Sequence, residues 1–262
     1  MNFLKNIRAI RSIIRNHKIG SFEYRMNMGV LKVMPYAYIC FNAARLAKKL
    51  GYKKISVIEY GVAGGGGLLT LEEYTIEIEK YFNIEIDIYG FDSGEGLPEP
   101  TDYRDLLYHW KKGFYSMEKD KLKNKLKKAK LIIGNIDDTS KTFFSKYNPA
   151  PIGAVMHDFD FYSSTKTALS MMTNNSNFFL PRVFSYFDDT IGTELELYND
   201  YTGERLAINE FNLNNEDIKI CTPHHLKALK PEVWHHQIWI SHFFKHTKYN
   251  DFTSNQDQQL KI

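Results

Sequence analysis

The sequence predicts an α/β fold, a three-layer sandwich in which a doubly wound, mostly parallel sheet of seven strands carries helices on both faces. Three observations predict it. From Lys54 onward, short β-branched or aromatic runs alternate with stretches of helical period, the pattern of a parallel sheet covered on both sides. A glycine cluster, "VAGGGG", sits where the first of those runs turns into a helix. Acidic residues close several of the runs, at the carboxyl ends of strands where open α/β sheets bind ligands.

The elements follow in order. "MNFLKNIRAIRSIIRNHKIG" has the pattern of a basic amphipathic helix, with Phe3, Leu4, Ile7, Ile10 and Ile14 on one side and Lys5, Arg8, Arg11 and Arg15 interleaved. Such a face packs on the domain or on a second subunit, giving a homo-oligomer, or lies on an acidic membrane surface. "MPYAYICFNAARLAKKLGY" is a second helix, ended by Gly51, and completes an N-terminal helical segment over 1–52. The core domain, 53–248, opens with the strand "KISVIEYG", the helix "LLTLEEYTIEIEKYF" and the strand "IEIDIYGFD". Residues from Ser93 to about 130 are turn-rich, aromatic and charged, an excursion suited to a lid or substrate wall. Its lysines after Glu118 suit a solvated helix face. "KLIIGNIDD" resumes the sheet, followed by a helix, the strand "IGAVMHDFD", a helix from Thr165 and the strand "RVFSYFDD". The helix "ERLAINEFN" and the strands "DIKICTP" and "HHQIWISHFFK" complete the core, and 249–262 has the polar composition of a loose tail.

Composition narrows the function. Across 262 residues, 34 Lys plus Arg stand against 31 Asp plus Glu, an excess of +3 that is too small to argue for nucleic acid. Cys40 and Cys221 suggest neither a disulfide framework nor a zinc site. No apolar run reaches the length of a membrane span, and charges interrupt every candidate signal-peptide core. The expectation is a soluble, cytoplasmic protein.

Three constellations carry chemistry. In "IEYGVAGGGG", the glycines Gly61 and Gly64 to Gly67 let backbone approach a nucleotide-like ligand, or simply make a tight turn. The dinucleotide pattern GxGxxG is absent, since Ala63 takes the second glycine position, and Glu59 would repel a pyrophosphate. A carboxylate there better suits a cationic ligand such as an aminoacyl sulfonium. Asp92 closes the second strand, placed either to accept bonds from ribose hydroxyls or to cap the turn. Asp158 and Asp160, two apart on a strand, would leave one face and meet Asp188 and Asp189 if their strands are neighbours. Oxygen donors without thiolates suggest Mg²⁺ or another hard divalent cation. The histidines, His224, His225, His235, His236, His242 and His246, lack a compact ligand spacing, and His157 would point away from Asp158.

These residues resemble a known family. "IEYGVAGGGG", "YGFDSGEGLPEP", "GNIDDT", "DFDFYSST" followed by "TAL", "FDD" and "AINEF" stand in the order found in the macrocin O-methyltransferases. The resemblance spans about residues 54–212 and implies a class I, Rossmann-like fold, S-adenosylmethionine as cofactor and methylation of sugar hydroxyls. It implies that Glu59, Gly61 and Gly65 hold the methionine portion, that Asp92 contacts the ribose with Ser93 beside it, and that Gly134, Asn135 and Asp138 border the adenosine. It further implies that Asp158, Asp188 and Asp189 bind the metal, with Asp160 in the same motif but without an assigned role. Gly94 stands where the family often has an aromatic residue, and "LPRVFSYFDD" replaces a glycine pair, which would shift the register of the strand bearing Asp188 and Asp189.

The expected reaction is in-line methyl transfer to the hydroxyl of a small sugar or glycan acceptor, with Asp158 or a neighbouring base taking the proton. Tyr103, Tyr108, His109, Trp110, Phe114 and Tyr115 of the excursion would stack on a sugar ring or serve packing alone. The rivals are a nicotinamide-dependent oxidoreductase on a similar sheet and a non-catalytic binding protein that keeps the fold.

Overall fold

The computed structural model describes residues 2–229 and 232–254, with side chains from Ala9 onward. The side chains of Phe3, Leu4, Lys5, Ile7 and Arg8, and residues 255–262 of the expected tail, lie outside the described residues. Three helices lead in: α1 (Asn2–Asn16), α2 (Phe22–Asn27) and α3 (Met34–Lys49). The core then runs β1 (Lys54–Tyr60), α4 (Gly66–Phe82), β2 (Glu85–Asp92), α5 (Lys119–Lys125), β3 (Lys130–Ile133) and α6 (Ile136–Tyr147). It continues through β4 (Ile152–His157), α7 (Tyr162–Asn174), β5 (Phe179–Phe187), α8 (Gly203–Asn214), β6 (Ile218–Cys221), α9 (His224–Lys227) and β7 (Ile238–Phe243).

The expected sheet is present, in the order β3-β2-β1-β4-β5-β7-β6. β1 to β5 run parallel, while β7 is antiparallel to both β5 and β6. Two-residue periodicity sorts each central strand onto two cores. Ile55 and Val57 of β1 and Ile86 and Ile88 of β2 join α3 and α4 on one face. Ile58, Tyr60, Tyr89 and Phe91 join α6, α7 and α8 on the other. α3 earns its place on the first face by an alanine-rich stripe: Ala37, Ala43, Ala44 and Ala47 are fully buried, which lets the helix lie close to the sheet.

The strand order reverses beside β1, between β2 and β4, so the loops after these strands splay apart and leave a crevice at their carboxyl ends. β5 meets β4 irregularly: Ile152 pairs Phe179, yet Ala154 pairs Phe184. Pro181, which has no N–H for a ladder bond, falls inside that slip. The slip lies in the segment that replaces the glycine pair, and β5 starts three residues earlier than its hydrophobic pattern suggests.

Two local expectations need correction. β4 stops at His157, so Asp158 and Asp160 are not alternate residues of one strand. Asp160 adopts a left-handed backbone, φ 62°, and α7 begins two residues later, at Tyr162 instead of Thr165. α2 was not marked by hydrophobic period: it is a short helix started by Ser21, whose hydroxyl accepts the N–H of Tyr24. Among the described residues, no helix is long and apolar enough to cross a membrane.

Candidate active site

The crevice holds a cavity of about 450 Å³ bordered by the ends of β1, β2, β4 and β5 and by the excursion after β2. That size falls within the range of small-molecule sites. Six carboxylates line it, from Asp92, Asp158, Asp160, Asp188, Asp189 and Glu196. No Lys, Arg or His among the described residues does so.

On one side the wall is the glycine turn. Gly61 has φ 78°, and a Cβ there would stand 1.7 Å from the carbonyl oxygen of Asp158, so only glycine allows the ends of β1 and β4 to approach. Asp92 organises this turn: its Oδ2 accepts the N–H groups of Val62 and Ala63 at 2.9 and 2.8 Å, and its Oδ1 accepts that of Gly94. It therefore caps the turn, one of the two roles the sequence left open, and also lines the cavity. Ser93, Gly134 and Asn135 also line the cavity, and Asn135 starts α6 by accepting the Asp137 N–H through its side chain at 2.9 Å.

Three of the expected cofactor residues are not on the cavity wall. Gly65, φ 81°, begins α4, and its α-carbon lies under Leu122 of α5. Asp138 is exposed and faces Lys141 at 3.5 Å on the outer side of α6. Glu59 is buried behind the turn, where Oε1 accepts the Tyr36 hydroxyl at 2.8 Å and Oε2 has no hydrogen-bond partner. Burial pushes its carboxyl up to about 8, the Tyr36 bond opposing and Asp92 adding to the shift.

The aspartate cluster adjoins the turn through Asp158. Asp158, Asp188 and Asp189 each offer one carboxylate oxygen, and these oxygens lie within 4.8 Å of one another. The Asp158 N–H is fixed to the Tyr60 carbonyl at 3.1 Å. Asp188 is held by the Tyr186 hydroxyl and by Gln237, whose Nε2 donates to Oδ1 at 3.1 Å and to the Asp188 carbonyl at 2.8 Å. Asp189 accepts the Tyr198 hydroxyl at 2.5 Å and the Asp160 N–H at 3.0 Å, and its own N–H donates to Glu204 at 3.0 Å. Burial and then mutual repulsion raise the carboxyls: Asp158 well above its usual range, Asp189 to about 7 and Asp160 to about 9. Asp160 thus enters the same cavity as Asp158 by a left-handed turn and not by strand alternation.

Glu204, Gln237, Tyr186 and Tyr198 were not singled out in the sequence. Glu204, Gln237 and Tyr198 are lone polar residues that the fold brings to the aspartates, while Tyr186 stands two residues before Asp188 on β5. Of the six aromatic and histidine side chains expected in the excursion, Trp110 and Tyr115 line the cavity. Tyr103, Tyr108 and Phe114 are exposed, and His109 lies edge-on to Trp110 with centroids 4.2 Å apart. The excursion is anchored by Leu106, Trp110 and Phe161, which form a small core, and by buried Asp105, which accepts the Ser163 N–H at 3.0 Å. His157 is fully buried and stacks on Phe187 at 4.1 Å, away from the cavity; burial lowers it to about 3, so it is neutral.

No family model matches the sequence, and no curated protein does. Among solved structures, the chain is similar to the crystal structure of CalS11, a calicheamicin methyltransferase, with a TM-score of 0.55 and 16% identity over 91% of this chain and 92% of that one. An apo structure of CalS11, described as a TDP-rhamnose 3'-O-methyltransferase, gives a TM-score of 0.46 at 15% identity over 92% and 94%. An O-methyltransferase from Bacillus cereus in complex with S-adenosylhomocysteine gives 0.41 at 10% identity over 77% and 78%. At 16% identity the first likeness is one of fold. The chain has the Rossmann-like fold of the class I methyltransferases.

Proposed function

We propose that the protein is an S-adenosylmethionine-dependent, Mg²⁺-dependent O-methyltransferase of the macrocin type, acting on a hydroxyl of a sugar or glycan-type acceptor. The observation that carries this reading is the meeting of Asp158, Asp188 and Asp189 in a cavity that the glycine turn and Asp92 also line. The donor set fits a hard divalent cation: three carboxylates, no thiolate, and carboxyls raised at Asp158 and Asp189 with no basic side chain on the cavity wall to neutralise them. The turn fits the sulfonium cofactor: Gly61 and Ala63 put backbone on the cavity wall, and Glu59 keeps a buried oxygen without a partner behind it.

In this reading Asp92 and Ser93 meet the ribose, Gly134 and Asn135 border the adenosine, and Glu59, Gly61 and Gly65 shape the methionine end. Asp138, turned outward toward Lys141, would affect that end of the site only through the first turn of α6. When bound, the sulfonium supplies an electrophilic methyl group, and the cation lowers the pKa of the acceptor hydroxyl and orients it. The chain's own residues do the rest. Asp158, with Asp160 beside it, takes the hydroxyl proton; Trp110 and Tyr115 wall off water over the acceptor.

Calorimetry of the whole protein with S-adenosylhomocysteine and, separately, NAD tests the cofactor. The expected result is binding of the first alone; binding of NAD alone would sink the reading. Transfer of a labelled methyl group to a panel of glycosides with Mg²⁺ tests the reaction. Cofactor binding without transfer to any member would instead favour a binding protein that keeps the fold.

A further inference from the structure

Two isoleucines of α1, Ile10 from its apolar stripe and Ile13 beside that stripe, are left uncovered by the fold. Ile10 and Ile13, one turn apart, are 55% and 52% exposed. The helix is tied to the domain through polar groups instead. The Arg11 guanidinium donates to the Met28 carbonyl at 3.2 Å, and just past the helix Lys18 pairs with Glu73 and Glu77 of α4 at 3.1 and 3.0 Å. Ile19 and Met28, also exposed, add apolar surface beside these tethers. A helix with an apolar stripe in water and its tethers on the polar side is placed to dock on something else.

Charge selects the occupant. Lys5, Arg8, Arg11, Arg15 and Lys18 all precede the first acidic residue of the chain, Glu23. A second copy docked through the same stripe would bring two such helices together, with like charges flanking the contact and no carboxylate in either helix to pair them. An anionic bilayer meets both features, taking isoleucine side chains at the boundary of its acyl region and arginines among its phosphates.

We propose that α1 is an in-plane helix that docks the protein reversibly on an anionic lipid surface, with Ile10 and Ile13 entering the bilayer boundary and Arg15 meeting the headgroups. A single helix of 15 residues gives reversible docking, not insertion across the bilayer. The surface is separate from the cavity, which α1 does not line, so this inference does not depend on the methyltransferase reading.

Co-sedimentation of the whole chain with vesicles tests it, using phosphatidylcholine alone or with about 30% phosphatidylglycerol. At low salt the protein is expected to pellet with the mixed vesicles and to bind pure phosphatidylcholine at least about tenfold more weakly, with the mixed-vesicle binding lost near 1 M NaCl. The Ile10→Asp/Ile13→Asp variant, altered only at exposed positions, should keep the wild-type melting temperature and bind at least about tenfold more weakly. Arg15→Glu should weaken binding in the same direction. Three results would overturn the proposal: a wild-type chain that stays in the supernatant at low salt, an Ile10→Asp/Ile13→Asp variant that binds like wild type, or a wild-type dimer that this variant converts to a monomer while vesicles bind neither. The last would assign the stripe to a second copy.

Discussion

Glu59 shows how a residue legible in the sequence acquires a cost visible only in the fold. Its place at the end of the first strand and its distaste for a pyrophosphate can be read from "IEYGVAGGGG"; its complete burial cannot, because Tyr36, which covers it, arrives from elsewhere in the chain. Held up to about 8 against an ordinary 4.5, the carboxyl keeps in the folded state a proton that the unfolded chain releases. Its stabilising contribution is therefore complete below about pH 4.5 and is lost as pH rises through 8. Glu59→Gln should remove this slope. Denaturant titrations are expected to show the variant close to wild type near pH 5 and more stable by a few kcal/mol near pH 8, while calorimetry shows weaker S-adenosylhomocysteine binding. A wild-type-like pH slope in the variant would contradict this account. Glu204 acts at the same scale without any sequence signal: it accepts the Asp189 N–H at 3.0 Å. Glu204→Ala orphans that buried donor, and Mg²⁺ affinity by calorimetry should fall about 10- to 100-fold, with Glu204→Gln restoring most of it because its amide oxygen still accepts.

At the scale of elements, alternating strands and helices were legible because burial on both faces imposes a period of two on strands and leaves longer stretches of helical period between them. Their ends were less so. The aspartates after β4 read as strand because nothing in "MHDFDFYSST" announces a left-handed residue, and Asp160 adopts one as its N–H turns to Asp189. The glycine turn was legible as a turn, but the reason for its first glycine is tertiary: the Asp158 carbonyl occupies the space a Cβ would need. Gly61→Ala should consequently disturb both halves of the site at once. Urea unfolding is expected to show a loss of about 2–4 kcal/mol, and both S-adenosylhomocysteine and Mg²⁺ binding should weaken together. Loss of one ligand with the other intact would mean that the turn and the aspartate loop are not coupled through this contact.

For the whole molecule, the cavity concentrates acidic groups in a chain that is otherwise slightly basic, with six carboxylates on the wall against a net charge of +3. Sequence reading could place Asp158, Asp188 and Asp189 at strand ends, and the order β1-β4-β5 explains why they converge. Their convergence works against folding when nothing neutralises them. Asp189 and Asp160, raised to about 7 and 9, keep protons in the folded state that the unfolded chain gives up near 3.8, so their contribution declines as pH rises from about 4 through those values. A cation bound by the ionised carboxylates should oppose this effect: in excess it stabilises the folded chain by about 3 kcal/mol at a concentration a hundred times its Kd. The metal-free wild type should therefore melt at progressively lower temperature between about pH 5 and 9, and Mg²⁺ should raise the midpoint most at the alkaline end. Asp158→Asn/Asp188→Asn/Asp189→Asn should melt higher than the metal-free wild type at pH 8, show no response to Mg²⁺ and transfer no methyl group. A variant less stable than the metal-free wild type at that pH would mean that hydrogen bonds to the carboxylates, such as those of Tyr198 and Gln237, outweigh their repulsion.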